Sequence, residues 1–104
     1  MSINYQLDIA RNIRTIEWLK AELVSRVGFL LQAMLKDREE EITEALAGIM
    51  ISSYLLGSRL GVDFGRLDKK VLGKVRANAL GGHEIEKWYG DFSALLEHLR
   101  EREK

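Results

Sequence analysis

Residues 37–63 read DREEEITEALAGIMISSYLLGSRLGVD, and this stretch decides the fold. Acidic residues open it, a mixture of large apolar and small residues fills its centre, and Gly61 stands near its end. Asp37 is a good N-cap residue, and Glu40 follows three positions later, as in a capping box. A glycine directly after the last apolar residue is typical of a helix C-terminus. The stretch therefore predicts a helix from about residue 37 to residue 60.

Apolar residues recur at helical spacing on both sides of this stretch. The residues that precede it and lie three or four positions apart are Ile9, Ile13, Ile16, Leu19, Leu23, Val27, Leu30 and Met34. They predict a helix over about residues 8–35, either unbroken or divided near Gly28. Beyond the stretch we expect two shorter helices, one over about residues 64–79 with Asp63 as its N-cap and one over about residues 83–102. Gly81 and Gly82 separate them.

The expected architecture is all-α, a four-helix bundle that forms a single domain over residues 1–104. A helix over residues 8–35 is about 40 Å long. A domain of this size has a radius of gyration of about 13 Å, so such a helix overhangs its own domain. The first two helices are also apolar on more than one side. We therefore expect a homo-oligomer, a dimer or higher, with a shared core.

Composition excludes several classes of function. Sixteen Lys and Arg balance sixteen Asp and Glu, and a net charge of zero argues against a nucleic-acid partner. The chain has no cysteine, which excludes a disulfide scaffold, a cysteine zinc site and a cysteine nucleophile. The weakly polar run over residues 45–57 is shorter than the roughly 20 residues that cross a bilayer. With no signal-peptide pattern at residues 1–14, we expect a cytoplasmic protein without a membrane partner.

Residues 60–63, LGVD, follow a long apolar helix and lead to Lys74 and Asn78, which are four positions apart. Together with Trp18 in the first helix, this arrangement resembles the MazG-like family over about residues 8–80. The family comprises all-α nucleoside triphosphate pyrophosphohydrolases and their relatives. The resemblance implies cleavage between the α and β phosphates. It also implies Mg²⁺ held by a Glu-Glu-x-x-Glu motif on one helix and a Glu-x-x-Asp motif on the next.

This sequence departs from the family pattern where the acids should stand. Counted from Leu60 and Gly61, the Glu-x-x-Asp motif falls at Ala45 and Gly48, and neither is acidic. The Glu-Glu-x-x-Glu motif falls near residues 25–29, which read SRVGF. The sequence therefore predicts that the metal-binding acids are lost. We expect a non-catalytic oligomeric protein, or one that binds a nucleotide or a partner, with no cofactor and no assigned catalytic residue.

An alternative keeps the metal at another place. Glu40, Glu41 and Glu44 form a literal Glu-Glu-x-x-Glu motif at the start of the second helix. Acids are favoured there in any case by the helix dipole, and we give that explanation more weight. In the alternative, the chain is a divergent Mg²⁺-dependent nucleotide pyrophosphohydrolase in which these three glutamates hold the metal. Further acids would come from another helix, and Glu17 and Glu22 are the candidates.

The third predicted helix carries candidate phosphate-binding residues, which are Lys70, Lys74 and Asn78. Lys74 and Asn78 match the family's helix, whereas Gly81 stands where the family often has an arginine. A solvated helix face explains the same cations, and we favour that explanation.

In the fourth predicted helix, three aromatic residues suit either base stacking or a core stripe, and we favour the core: Trp88, Tyr89 and Phe92. His83 and His98 lack metal-ligand spacing.

Overall fold

The computed structural model describes residues 3–102, most of which are helical. The helices are α1 (Ile3–Leu35), α2 (Glu39–Arg59), α3 (Phe64–Leu80), α4 (Glu84–Tyr89) and α5 (Asp91–Arg102). Residues 3–102 contain no strand, so the prediction of an all-α protein is confirmed. The predicted number of four helices is wrong, because the last predicted helix is two helices. No helix in this described range is long and apolar enough to cross a membrane.

The chain divides into two compact units, one ending at Asp63 and the other beginning at Phe64. In the first unit α1 packs against α2. In the second unit α5 packs against both α3 and α4. Each unit therefore has helix packing of its own, and a single domain over residues 1–104 stays a prediction.

In the first unit, α1 is one continuous helix of 33 residues. At 1.5 Å per residue it is about 50 Å long. It passes through Gly28 without a break, which decides between the one-helix and two-helix alternatives. A Cβ atom at Gly28 would meet no atom within 4 Å, so no close contact in the described part of the chain requires this glycine.

The end of α2 is a hydrogen-bonded turn built around Gly61. The Val62 N–H donates to the Gly57 carbonyl at 2.8 Å, and the Gly61 N–H donates to the Ser58 carbonyl at 3.2 Å. This pair of bonds is the Schellman motif, which needs a left-handed residue after the helix. Gly61 supplies it with a φ of 90°. The prediction that Gly61 ends this helix is confirmed.

The end of α1 uses the same turn, with Asp37 in the place of the glycine. The Arg38 N–H donates to the Ala33 carbonyl at 3.3 Å, and the Asp37 N–H donates to the Met34 carbonyl at 3.2 Å. Asp37 has a φ of 52°. The predicted capping box of Asp37 and Glu40 is therefore wrong, because Asp37 terminates α1. Arg38 occupies the N-cap position of α2 and makes no side-chain cap hydrogen bond.

The hairpin of α1 and α2 is antiparallel and closely packed. Its buried residues are few and mostly small, namely Leu19, Ala33, Ala45 and Ser52. Small side chains at the contact let two helix axes approach. At the far end from the turn, Arg59 Nη1 donates to Asn12 Oδ1 at 3.3 Å. The part of α1 before Asn12 therefore extends beyond the end of α2.

In the second unit, Gly90 divides the predicted helix over residues 83–102 into α4 and α5. Gly90 has a left-handed φ of 69°, which ends α4. The Glu86 carboxylate then accepts hydrogen bonds from the Ser93 N–H at 3.1 Å and from the Ser93 hydroxyl. These bonds hold the start of α5, and the hydroxyl bond is the main reason that the pKa of Glu86 is lowered. The prediction of a single helix over about residues 83–102 is therefore wrong.

His83 begins α4 and links it to α5. Its Nδ1 accepts a hydrogen bond from the Ile85 N–H at 3.1 Å, so the imidazole caps the helix. Its ring lies edge-on to Phe92, with 5.1 Å between the ring centroids.

The predicted break at Gly81 and Gly82 is confirmed, since α3 ends at Leu80 and Gly82 has a positive φ of 74°.

Candidate functional site

One side of the α1–α2 hairpin carries an open groove of ≈ 230 Å³, which we call the α1–α2 groove. From α1 it is lined by Trp18, Leu19, Glu22 and Arg26; from α2, by Glu44, Ala47, Gly48, Ile51, Ser52 and Leu55. Residues four apart lie one above the other on a helix, which places Trp18, Glu22 and Arg26 in one row. The groove therefore combines apolar walls with charged groups of both signs.

The charged part of the groove is built around Arg26. Its Nε lies 3.5 Å from Oε2 of Glu22, one turn earlier on α1, and both side chains are partly buried. The stem of Arg26 crosses α2 at Gly48, where a Cβ atom would lie only 2.9 Å from Arg26 Cδ. Gly48 costs about 1 kcal/mol in a helix interior compared with alanine. The Arg26 stem occupies the space that a side chain at position 48 would take.

The contact between Arg26 and Gly48 fixes which parts of the two helices oppose each other. Arg26, within residues 25–29 of α1, lies against Gly48, within the part of α2 that also contains Ala45. These are the two segments to which the resemblance assigns the family's acidic motifs. Ala45 is completely buried between the helices, and Gly48 is covered by a cation. Neither segment supplies a carboxylate at this crossing.

The glutamates proposed for a displaced metal site have separate surroundings. Glu41 accepts a hydrogen bond from Arg38 Nη1 at 3.1 Å, Glu40 is exposed, and Glu44 lies at the edge of the α1–α2 groove. The candidates on α1 are paired with cations, Glu17 with Lys20 at 3.0 Å and Glu22 with Arg26. Among residues 3–102, no group of three or more Asp, Glu, His or Cys is placed to hold a metal ion. Metal binding by Glu40, Glu41 and Glu44 stays a prediction.

The candidate phosphate-binding residues follow one row of α3. Lys70 and Lys74 are exposed, and Asn78 is partly buried. The Asn78 side-chain amide donates to the Lys74 carbonyl at 3.0 Å, one turn earlier on the same helix. A role of these three residues in phosphate binding stays a prediction.

The aromatic residues near Gly90 do not form the expected core stripe. Trp88 is 67% exposed and Tyr89 is 73% exposed, and the two rings contact each other edge-on. Only Phe92 is partly buried. The core prediction is wrong for Trp88 and Tyr89, because the turn at Gly90 interrupts the helical row that would have aligned all three.

The side of the hairpin opposite the α1–α2 groove is apolar, and we call it the apolar face. A helix advances about 100° per residue, so Val27 points away from the side on which Trp18 lies. The exposed residues of this face are Ile9, Ile13, Val24, Val27, Leu31 and Met34 on α1, with Leu46 and Met50 on α2. Lys20 is the one charged residue of α1 in this row.

The position of Arg26 against Gly48 was not predicted from the sequence. Residues 25–29 stood out there only as a segment without acids. The signal was present, because Glu22 and Arg26 stand four apart and Gly48 is an isolated glycine inside an apolar helix. Their meeting across the two helices could not be inferred from the spacing on either helix alone.

The fold and the groove define a class, which is an all-α protein with its candidate site between two antiparallel helices. The chain belongs to the MazG-like family, whose model matches residues 9–92. No curated protein and no solved structure matches the chain. The family relates the fold to that of nucleotide pyrophosphohydrolases.

Proposed function

We propose that the chain is a non-catalytic MazG-like protein that assembles with copies of itself and binds a nucleotide or a partner in the α1–α2 groove. The observation that carries this proposal is the position of Arg26 over Gly48. Ala45 and Gly48 stand where the resemblance implies acids, and the groove holds a cation beside them.

The residues of the groove do not suit Mg²⁺. This ion prefers oxygen ligands in a near-octahedral arrangement. Glu22 and Glu44 are the carboxylates that line the groove, and Glu22 already faces Arg26. A guanidinium stays protonated at any physiological pH and repels a second cation. We therefore derive no hydrolytic step through a metal at this place.

The apolar face supports self-assembly. Two helices can bury only the sides that they turn toward each other, and here those sides contribute only four buried residues. The apolar face leaves large side chains in water, including Val24 at 73% exposure. Large contiguous apolar patches mark interaction sites in soluble proteins. A helical bundle made from two or more hairpins covers such faces, so we propose a dimer or a higher oligomer.

The groove offers chemistry that suits a nucleotide or a partner of similar character. Trp18 is 59% exposed at one end of the groove and presents an aromatic surface. Arg26 offers donors of the kind that bind phosphate or carboxylate oxygens. A cytoplasmic location belongs to the same proposal, and the cysteine-free composition is compatible with it.

Pyrophosphate release tests the non-catalytic part of the proposal. The purified chain is incubated with Mg²⁺ or Mn²⁺ and a panel of canonical and modified nucleoside triphosphates. We expect no turnover, while nucleotide binding is followed separately through the fluorescence of the tryptophans, with Trp18→Phe as the control.

Turnover that disappears in Glu41→Gln or Glu44→Gln, but persists in Glu97→Gln, would contradict the proposal. It would instead support the divergent pyrophosphohydrolase in which Glu40, Glu41 and Glu44 hold Mg²⁺. Glu97 is the matched control because it is an exposed glutamate on α5, does not line the groove and belongs to no candidate site.

A further inference from the structure

The helix α3 has a strongly basic surface that the groove and the apolar face do not involve. Its cations are Arg66, Lys69, Lys70, Lys74 and Arg76, and its one acid is Asp68. Lys70 and Lys74 are exposed and stand one helical turn apart, so they form a positively charged row. At about 100° per residue, Asp68 lies on nearly the opposite side of α3 from Lys70.

The start of α2 carries the complementary charge. Its first turn contains Glu39, Glu40 and Glu41, and Glu44 follows one turn after Glu40. Glu41 is paired with Arg38, whereas Glu40 and Glu44 are exposed and form a negatively charged row. Like charges one turn apart repel each other and destabilise a helix. The two charges within each row therefore repel each other, and a row of opposite charge packed against them offsets this repulsion.

We propose that the Lys70–Lys74 row of one copy docks on the Glu40–Glu44 row of a second copy. Both rows have two charges with the same four-residue spacing, a rise of about 6 Å, so two ion pairs form in one register. The balance of sixteen cations and sixteen anions provides each copy with both halves of the contact. This inference rests on the self-assembly part of the proposed function and adds a charged contact to the apolar one.

The Glu40–Glu44 row of a second copy suits the lysine row of α3 better than a nucleic acid does. The cations of α3 are matched within the chain by acids, and a chain with no net charge has no long-range attraction to a polyanion. If this contact forms, the strength of the association should depend on the salt concentration. Exposed charge pairs are screened at high ionic strength, so the contribution of the two rows falls as salt is added.

Charge reversal and charge exchange test the contact. One variant carries Lys70→Glu with Lys74→Glu, a second carries Glu40→Lys with Glu44→Lys, and a third combines all four changes. Sedimentation velocity over a range of concentrations gives the dissociation constant of each. We expect each double variant to associate at least ten-fold more weakly than the parent at low salt. We expect the quadruple variant to recover, because it exchanges the two rows and keeps the parent's net charge.

A matched control separates the contact from net charge. The change Lys69→Glu with Arg76→Glu alters the charge by the same amount on another side of α3, and it should leave the association unchanged. Mixing the two double variants in equal amounts should give a mixed assembly, since each supplies the row that the other has lost. A contact within one chain would leave the mixture no more strongly associated than either double variant alone, and this result would overturn the inference.

The failure of this inference can be told from the failure of the proposed function. A parent that associates, with double variants that associate equally well, overturns the charged contact alone. A parent that is monomeric at every concentration overturns both the contact and the proposed self-assembly. Far-UV circular dichroism checks that each variant retains its helices, and recovery in the quadruple variant excludes misfolding as the cause of a loss.

Discussion

The two sides of the α1–α2 hairpin are made by the same two helices and have different chemistry. The α1–α2 groove gathers Glu22, Arg26 and Glu44 between apolar walls, whereas the apolar face is almost free of charge. Self-assembly needs only apolar residues at the right period, and many residue types satisfy it. Metal-dependent hydrolysis needs carboxylates at a few fixed places. The difference shows that the two properties depend on separate residues, so the apolar face does not need the acids that hydrolysis would require.

The largest expected effect comes from placing a charge on the apolar face. Val27 is 42% exposed in the middle of this face. Val27→Asp should weaken self-association by at least 30-fold, equivalent to about 2 kcal/mol, because a buried unpaired carboxylate is costly at an interface. Sedimentation velocity at several concentrations measures the change.

Ser25→Asp is the control for this prediction. Ser25 is exposed on α1 and lies away from the apolar face, so the same charge there should leave the association unchanged. If both variants keep the parent's mass, the apolar face is not the interface and the comparison between the two sides fails.

The second effect concerns the groove and comes from adding acids to its charged part. Arg26→Glu combined with Gly48→Asp removes the cation and sets two carboxylates beside Glu22 and Glu44. A site of this kind with a millimolar affinity would stabilise the fold by about 1.4 kcal/mol at a tenfold excess of Mg²⁺ over its dissociation constant. Thermal unfolding with and without Mg²⁺ measures this. We expect no Mg²⁺ dependence in the parent.

Gly48→Asp alone is the matched control for the groove variant. Arg26 remains in this variant and can pair with the new carboxylate, so we expect no response to Mg²⁺. A clear response to Mg²⁺ in the unchanged chain would mean that the groove or the start of α2 already holds the ion.

Two glycines in helix interiors provide a smaller and more local comparison. A Cβ atom at Gly28 meets nothing within 4 Å, while a Cβ at Gly48 meets Arg26. Gly28→Ala should therefore raise the free energy of unfolding by up to about 1 kcal/mol. Gly48→Ala should raise it by less, because the Arg26 side chain must move. Urea unfolding at one fixed protein concentration measures both, and an equal gain would show that Arg26 does not press on Gly48.

The smallest effect lies outside the hairpin, at the corner between α4 and α5. The pKa of Glu86 is below its ordinary value of 4.5, chiefly because the Ser93 hydroxyl donates to the carboxylate. Since the folded pKa is the lower one, this contribution to stability is present above about pH 4.5 and is lost as the pH falls through the folded pKa. Glu86→Gln should loosen the corner at neutral pH and remove its pH dependence.

Amide hydrogen exchange at Ser93 measures the state of that corner. The assembly of the hairpin should not respond to Glu86→Gln, since Glu86 lies in the other unit. A change in self-association in this variant would show that the corner contributes to the interface, and it would weaken the assignment of assembly to the apolar face.

Much of the fold could be predicted because its signals are local. The period of the apolar residues predicted the helical class, and the glycines at 61, 81 and 82 marked true breaks. Gly90 was not recognised as a break because the apolar residues around it continue at helical spacing. Asp37 was assigned to the wrong helix end, since an aspartate suits both an N-cap and, less often, a left-handed position.

The candidate site could be predicted only in part. The absence of acids at Ala45 and Gly48 followed from counting along the chain. The presence of Arg26 at the same place did not, because it depends on the register in which α1 lies against α2. Which residues of two helices meet is decided by their packing and by the turn between them.

The sequence by itself determined that the chain is all-α and related to the MazG-like family, since helical period and short motifs are properties of neighbouring residues. It also placed Ala45 and Gly48 at the two positions where the resemblance implies acids. Only the tertiary structure decided that α1 is unbroken, that Arg26 crosses Gly48, and that the hairpin separates a charged groove from an apolar face. These features depend on contacts between residues that are far apart in the chain, and no local pattern encodes them.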